Sequence, residues 1–245
     1  MAKNRTEYKG TLINNRDPEK HFEFQDSGLQ EHYADIIDRI FSQKRSISRT
    51  LHVGCGTAAF EILLCDKIEF GKFYGLEQSR TLIRIGEAVL SRFGYTKRIS
   101  LKSWDDENLP FPDNEFDAVI SLSSIHQWKN PGKTFLEIER VRKKDGIVFL
   151  SDFRREQFFL PYYFFVRKMR SAFGKEIASN LRSAFKASYT TSQISEILKN
   201  EGLTEWTIDK SGKWFHIISQ PATQDLTANK NLQSSGVDNI ERERV

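Results

Sequence analysis

The chain reads as short apolar runs separated by stretches whose apolar residues return every third or fourth position. The runs are Thr50–Val53, Phe73–Leu76, Ile99–Leu101, Phe116–Leu122 and Ile147–Leu150. Pieces such as "AVI" and "IVFL" do not alternate in polarity, the pattern of strands buried on both faces of a parallel sheet. Between the runs, helical spacing predicts helices that start near Thr57, Ser79 and Asn130. Asn130 can cap free backbone N–H groups, and Pro131 fills the first helical position, where its missing donor costs nothing. Ahead of the first strand, Leu29, Tyr33, Ile36, Ile37, Ile40 and Phe41 mark an amphipathic helix between Gly28 and Gln43. Alternating strands and helices predict a doubly wound α/β sheet.

The alternation stops after Asp152. Residues 153–190 carry ten Phe and Tyr residues among eight Arg and Lys and two Glu. Following the fifth strand, this segment is expected to form a lid on the sheet's carboxyl edge, its aromatic residues buried against each other and its basic residues in water. A sharper reading seats a hydrophobic or anionic acceptor beneath it, with Arg154, Arg155, Tyr162 and Tyr163 as contacts, and docking on anionic lipid follows from the same composition. A helix is expected from Thr191 to Asn200. Leu203–Asp209 and Lys213–Ser219 then flank Lys210-Ser211-Gly212 as a strand pair around a tight turn. Residues 1–27 read as a flexible segment or a cover over a site, 28–220 as one domain, and the polar stretch 221–245 as a disordered tail.

Composition narrows the class. A chain of 245 residues that is 38% hydrophobic can bury one substantial core. The net charge of +4 permits an anionic partner without demanding nucleic acid, and the basic residues are spread along the chain rather than gathered in a binding module. No run approaches the roughly 18 apolar residues of a membrane span, and the first ten residues hold no apolar core of a signal peptide. Cys55 and Cys65 form no Cys-x-x-Cys or zinc pattern. A soluble, cytoplasmic protein without a metal is expected.

The chemistry concentrates in "LHVGCGTAAF", residues 51–60, where a strand runs into a glycine turn and leaves as a helix. Gly54 and Gly56 let the backbone turn sharply and let a ligand approach it closely. The helix start offers unpaired N–H groups and a positive dipole end, which suits a carboxylate or phosphate. Glu77 ends the second strand in "FYGLEQS", 21 positions after Gly56. An acid placed there accepts hydrogen bonds from both hydroxyls of a ribose, so a nucleoside ligand is expected. Gly54 to Ala59 also fits G-x-G-x-x-A, so this turn alone leaves a dinucleotide such as NAD open. The third strand leads into "SWDDENLPFPDNEFDAVISLSSIHQW", where Asp105 can accept from an adenine amino group and Trp104 offers an apolar face.

With "VGCGT", "GLE", "WDDENLPFPDNEFDAVIS", "SIHQW" and "EIERVRKKDG" in this order, the chain resembles the class I S-adenosylmethionine-dependent methyltransferases, in particular the small-molecule branch that includes ubiquinone and menaquinone biosynthesis enzymes. The resemblance covers residues 48–152 and, more loosely, 185–219. It implies an α/β, three-layer Rossmann-like sandwich with a seven-stranded, mostly parallel sheet whose last strand is antiparallel. It implies S-adenosylmethionine as cofactor and methyl transfer to a small organic acceptor. Gly54 and Gly56 would line the cofactor's methionine end, Glu77 the ribose, Asp105 the adenine and Ser121 the wall beside the sulfonium; Cys55, Gln78 and Trp104 join them as cofactor-binding residues.

A sulfonium methyl is already activated, so such an enzyme needs mainly to hold the acceptor in line and exclude water. For a hydroxyl or acidic carbon a base is useful, and His126 in "SSIHQW" is the candidate. Two positions depart from the family pattern. His52 stands where Asp or Glu usually opens the motif, and is expected to loosen the turn's grip. Ala58 stands where a third glycine is common, and as a helix-start residue in α geometry it is expected to crowd only mildly. A cofactor-binding relative without turnover and an NAD-dependent dehydrogenase are the rival readings.

Overall fold

Every residue of Phe116–Leu122 is buried, the polar Asp117 and Ser121 included, as a strand at the centre of a sheet covered on both faces must be. The computed structural model describes residues 5–8, 22–25, 29–43, 46–106, 108–156 and 159–219, with no account of the side chains of residues 43 and 159–161. The expected tail 221–245 and most of the segment 1–27 lie outside the described residues. In chain order the elements are α1 (Gln30–Gln43), β1 (Arg49–Val53), α2 (Ala59–Lys67), β2 (Lys72–Glu77), α3 (Arg80–Phe93), β3 (Ile99–Ser103) and β4 (Phe116–Leu122). There follow α4 (Pro131–Val141), β5 (Arg142–Phe153), α5 (Phe159–Ala187), α6 (Thr191–Asn200), β6 (Thr207–Ser211) and β7 (Trp214–Ser219).

The strands form one sheet in the order β3-β2-β1-β4-β5-β7-β6. The first five pair in parallel, and β7 pairs antiparallel with both β5 and β6. The sheet is therefore seven-stranded and mostly parallel, with the last strand inserted antiparallel between β5 and β6. Order reverses between β1 and β4, which opens a crevice at their carboxyl ends, the place where doubly wound sheets bind ligands. Two apolar cores sandwich the sheet. Ile36 and Ile40 of α1, Phe60 of α2 and Leu90 of α3 pack on one face. Phe135 and Ile138 of α4 and Ile194 and Leu198 of α6 pack on the other.

Local chemistry sets the element ends. The Ser79 hydroxyl accepts from the Leu82 N–H to start α3, and Asn130 accepts from the Lys133 N–H with Pro131 in the first position of α4. Thr190 and Gln193 form a reciprocal capping box on α6. The first strand of the terminal pair starts at Thr207, four residues later than the apolar run suggests, because Leu203 and Trp206 turn back on Leu198 and Leu203 through backbone bonds. Gly212, at φ +55, makes the hairpin turn with Lys213.

The segment expected to form a lid is, over Phe159–Ala187, a helix broken at Gly174, which has φ 94 and ψ 178. The Tyr162 hydroxyl bonds the Leu181 carbonyl at 2.6 Å, although 19 residues of straight helix would separate them by about 28 Å. The two halves of α5 therefore fold back on each other.

The contact between α1 and β7 carries a pH dependence. The His32 ring stacks on Trp214 at 4.1 Å, with His216 at 6.4 Å, and among the described residues His32 Nε2 and both ring nitrogens of His216 have no hydrogen-bond partner. Burial lowers His32 to about 3, helped by His216, Lys213 and Arg39. Burial also lowers His216 to about 4, with Arg39 acting in the same direction and Asp209 and Asp35 against it. Both rings stay neutral in the fold but take up protons near pH 6.5 when unfolded, so stability falls as pH drops from 6.5 toward 4. Urea unfolding at pH 7 and pH 5 is expected to show a loss of about 2 kcal/mol or more, which His32→Phe with His216→Phe should largely remove.

Candidate active site

A cavity opens at the switch point on the carboxyl edge of the sheet. Its floor is the Gly54–Gly56 turn, the end of β2 at Glu77 and Gln78, and the segment after β4 from Leu122 through Trp128. Trp104 and Leu82 wall one end. Phe153, Trp214 and the second half of α5, through Ile177, Leu181 and Ala184, roof the other, and Tyr8, Phe24 and Gln25 close it from the N-terminal side.

The turn needs its glycines. Gly54 has φ +81, and a Cβ there would lie 2.4 Å from the Ser124 side chain; Gly56 has φ +61, and a Cβ there would lie 2.2 Å from the Gln25 amide. Glu77 clamps this turn: one carboxylate oxygen accepts from the Gly56 N–H at 3.0 Å and the other from the Ser79 N–H at 2.9 Å. Burial raises its pKa, while the bonds from Ser79, Gly56 and Gln78 and the proximity of His52 pull the other way. The other donors of the turn are also engaged. Gly54 and Cys55 donate to the Leu76 carbonyl, Ala58 to the Cys55 carbonyl, and both the N–H and the hydroxyl of Thr57 donate to Gln25. The backbone N–H groups of residues 54–58 are thus all engaged within the fold.

Both departures from the motif have a structural account. His52 Nδ1 meets Glu61 of α2 at 2.9 Å, with both side chains buried. The carboxylate absent from the strand enters from the first turn of the next helix, where the dipole favours it. His52 thereby ties β1 to α2. Ala58 does not take the α geometry expected of it: it sits at φ 65 and ψ 20, in the left-handed region, and is fully buried. For a residue with a Cβ this costs about 1–2 kcal/mol.

At the other end of the cavity, His126 and Asp152 form a buried pair. The ring Nδ1 lies 2.9 and 3.0 Å from the two carboxylate oxygens, and the His126 backbone N–H donates to Asp152 at 2.8 Å. Nε2 has no partner among the described residues. Tyr8 sets its ring edge-on to His126 at 4.9 Å, and burial, with Asp152 and Glu77 nearby, pushes its phenol up to about 12. Arg5 anchors this segment by donating to the carbonyls of Ala187 and His126.

Of the residues singled out in the sequence, Gly54, Gly56, Glu77, Gln78, Trp104 and His126 line the cavity. The others do not. Cys55 lies behind the turn against Gly75. Ser121 is fully buried, its hydroxyl donating to the Val53 carbonyl and sharing a bond with Ser124, which lines the cavity in its place. Asp105 is exposed outside the lining, while Asp106 beside it, at φ +71, is buried and accepts from the Lys129 N–H. Arg155 bonds Gln193, and the Arg154 backbone bonds Lys213. Tyr162 stacks on Phe185 inside the α5 hairpin, and Tyr163 faces solvent. Because α5 folds back at Gly174, its aliphatic second half, rather than its aromatic and basic first half, meets the cavity. Asp152, Glu61, Gln25 and Tyr8 were not singled out, since their partners are distant in sequence; only the position of Asp152 at a strand's carboxyl end was a readable signal.

Ala58→Gly removes left-handed strain worth about 1–2 kcal/mol but also a buried methyl worth about 0.8 kcal/mol and adds chain entropy worth about 0.5–1 kcal/mol. Denaturant unfolding is expected to change by less than about 1 kcal/mol. A loss of about 2 kcal/mol or more would show that the residue is not strained.

Comparison with known proteins agrees with this architecture. Residues 51–150 match the family described as methyltransferase domain. Over 150 residues the chain is 31% identical to a demethylmenaquinone methyltransferase of Geobacillus stearothermophilus, covering 60% of this chain and 63% of that protein, so it spans less than two thirds of that relative. Among solved structures it is similar to an S-adenosylmethionine-dependent methyltransferase of Aquifex aeolicus, with TM-score 0.62 and 16% identity over 84% of this chain and 99% of that one. It is also similar to a putative methyltransferase of the same kind from Methanococcus maripaludis, with TM-score 0.69 and 18% identity over 92% and 99%. Residues 51–150 thus resemble a methyltransferase domain, and the sheet around them has the fold of the S-adenosylmethionine-dependent methyltransferases to which it is similar.

Proposed function

We propose that this chain transfers a methyl group from S-adenosylmethionine to a small, largely apolar acceptor carrying a weakly acidic hydroxyl or carbon. One observation carries the reading: a single cavity holds both the Glu77-clamped glycine turn and the His126–Asp152 pair.

The residues present fit the cofactor. A carboxylate has about four acceptor sites, and Glu77 spends up to three on the backbone of Gly56, Ser79 and Gln78, leaving capacity toward a ribose. Trp104 and Leu82 supply apolar walls for a base, and the bare backbone at Gly54 and Gly56 admits an amino-acid arm. When bound, S-adenosylmethionine supplies an activated methyl. The chain's own residues do the rest. Asp152 receives Nδ1–H and so fixes the tautomer of His126, leaving the Nε2 lone pair to take a proton from the acceptor. Phe24, Leu29, Tyr33, Phe153 and Trp214 exclude water around it.

The name of the Geobacillus relative, a demethylmenaquinone methyltransferase, supports an acceptor of this chemistry. The antiparallel strand between β5 and β6 departs from the 3-2-1-4-5-6 order of dinucleotide-binding sheets and weighs against NAD. We place the protein in the cytoplasm on its two buried free cysteines; no helix among the described residues is long and apolar enough to cross a membrane.

Calorimetry is expected to show binding of S-adenosylhomocysteine and not of NAD; the reverse overturns the proposal. Glu77→Ala should weaken S-adenosylhomocysteine by about ten- to hundredfold. Unchanged affinity would remove Glu77 from the ribose site. His126→Asn should lower turnover by about 10²–10⁴ with cofactor affinity retained, measured with labelled cofactor and an acceptor isolated from cell extract. Equal turnover in the variant would remove the base.

A further inference from the structure

The Gln25 amide is held in one orientation. Its Oε1 accepts from the Thr57 N–H at 3.0 Å and from the Thr57 hydroxyl at 2.6 Å. A backbone N–H can only donate, so the carbonyl end must face Thr57 and the NH₂ end must point away from it. That direction leads over the glycine turn: Nε2 lies 2.2 Å from where a Cβ on Gly56 would stand, and Gln25 lines the cavity. The neighbouring Phe24 is buried edge-on against Phe173 at 5.6 Å, which fixes the segment that carries the amide.

The turn itself has little left to offer an anion. The N–H groups of Gly54, Cys55, Gly56, Thr57 and Ala58 are all bonded within the protein. Glu77 adds a carboxylate on the same side. A carboxylate approaching the turn therefore meets the Gln25 NH₂ group, a donor on a side chain brought in from outside the motif.

We propose that the NH₂ group of Gln25 is the donor that holds the carboxylate of the cofactor's amino-acid arm. Gln25 thereby selects adenosyl compounds that carry an amino acid over those that do not. This rests on reading the cavity as an S-adenosylmethionine site.

Gln25→Glu is the informative variant, because a carboxylate keeps both Thr57 bonds while replacing the donor with an acceptor. Calorimetry of the full chain would compare S-adenosylhomocysteine, its decarboxylated analogue and 5′-methylthioadenosine, which lacks the arm. Gln25→Glu is expected to weaken S-adenosylhomocysteine by about tenfold or more, to leave methylthioadenosine within about twofold, and to bind the amine-only analogue no more weakly than the parent does. Unchanged or tighter binding of S-adenosylhomocysteine, or an equal loss for all three ligands, overturns the role of Gln25. A parent chain that binds none of the three overturns the cofactor reading together with this one. A parent that binds S-adenosylhomocysteine while the variant keeps its affinity overturns Gln25 alone.

Discussion

The Glu77 carboxylate, shared between the Gly56 and Ser79 N–H groups, is the interaction on which the site depends. It sits where β2 ends and bridges to the turn that ends β1, so it fixes the carboxyl edge of the two neighbouring strands at once. Taking a carboxylate out of water is costly, and the aligned backbone donors of Ser79, Gly56 and Gln78 offset that cost. The positive φ angles of Gly54 and Gly56 follow from this geometry, since the turn must bring an amide back toward β2. Everything that closes the cavity afterwards, from Gln25 to the α5 roof, packs onto an edge that Glu77 has already set.

The antiparallel β7 has a comparable part at the other end. By inserting between β5 and β6 it places Trp214 beside Phe153, stacked at 4.3 Å, and brings both into the cavity wall. The carboxyl end of β5 then supplies Asp152 to His126, which enters from the loop after β4. The two chemical halves of the site thus come from strands on either side of the switch point.

The layered fold was legible because its signals are local: short apolar runs, helical spacing between them and the Asn130-Pro131 start. Strand ends were read less well at the terminal hairpin, where Leu203–Trp206 are apolar enough to extend a strand but are drawn into a turn by backbone bonds to α6. In the site, residues on the glycine turn and at the end of β2 could be placed from spacing alone, and Gly54, Gly56 and Glu77 do meet at the cavity. Asp105, Arg154, Arg155, Tyr162 and Tyr163 could not, because side-chain direction after a strand end depends on the next packing layer. A single glycine at 174 decides which half of α5 faces inward, and no periodicity reports such a fold-back. Ala58 misled for a related reason: helix-start residues are ordinarily in α geometry, and only the clamp on the preceding turn forces this one across to positive φ.

The His52–Glu61 pair has a consequence for how such sequences evolve. An acid in the strand and an acid on the helix are alternative solutions to one buried vacancy, and the two positions are epistatic. Replacing His52 alone with aspartate would press two buried carboxyl groups together without a counterpart. A lineage can cross between the two arrangements only by changing both residues, or through a neutral intermediate.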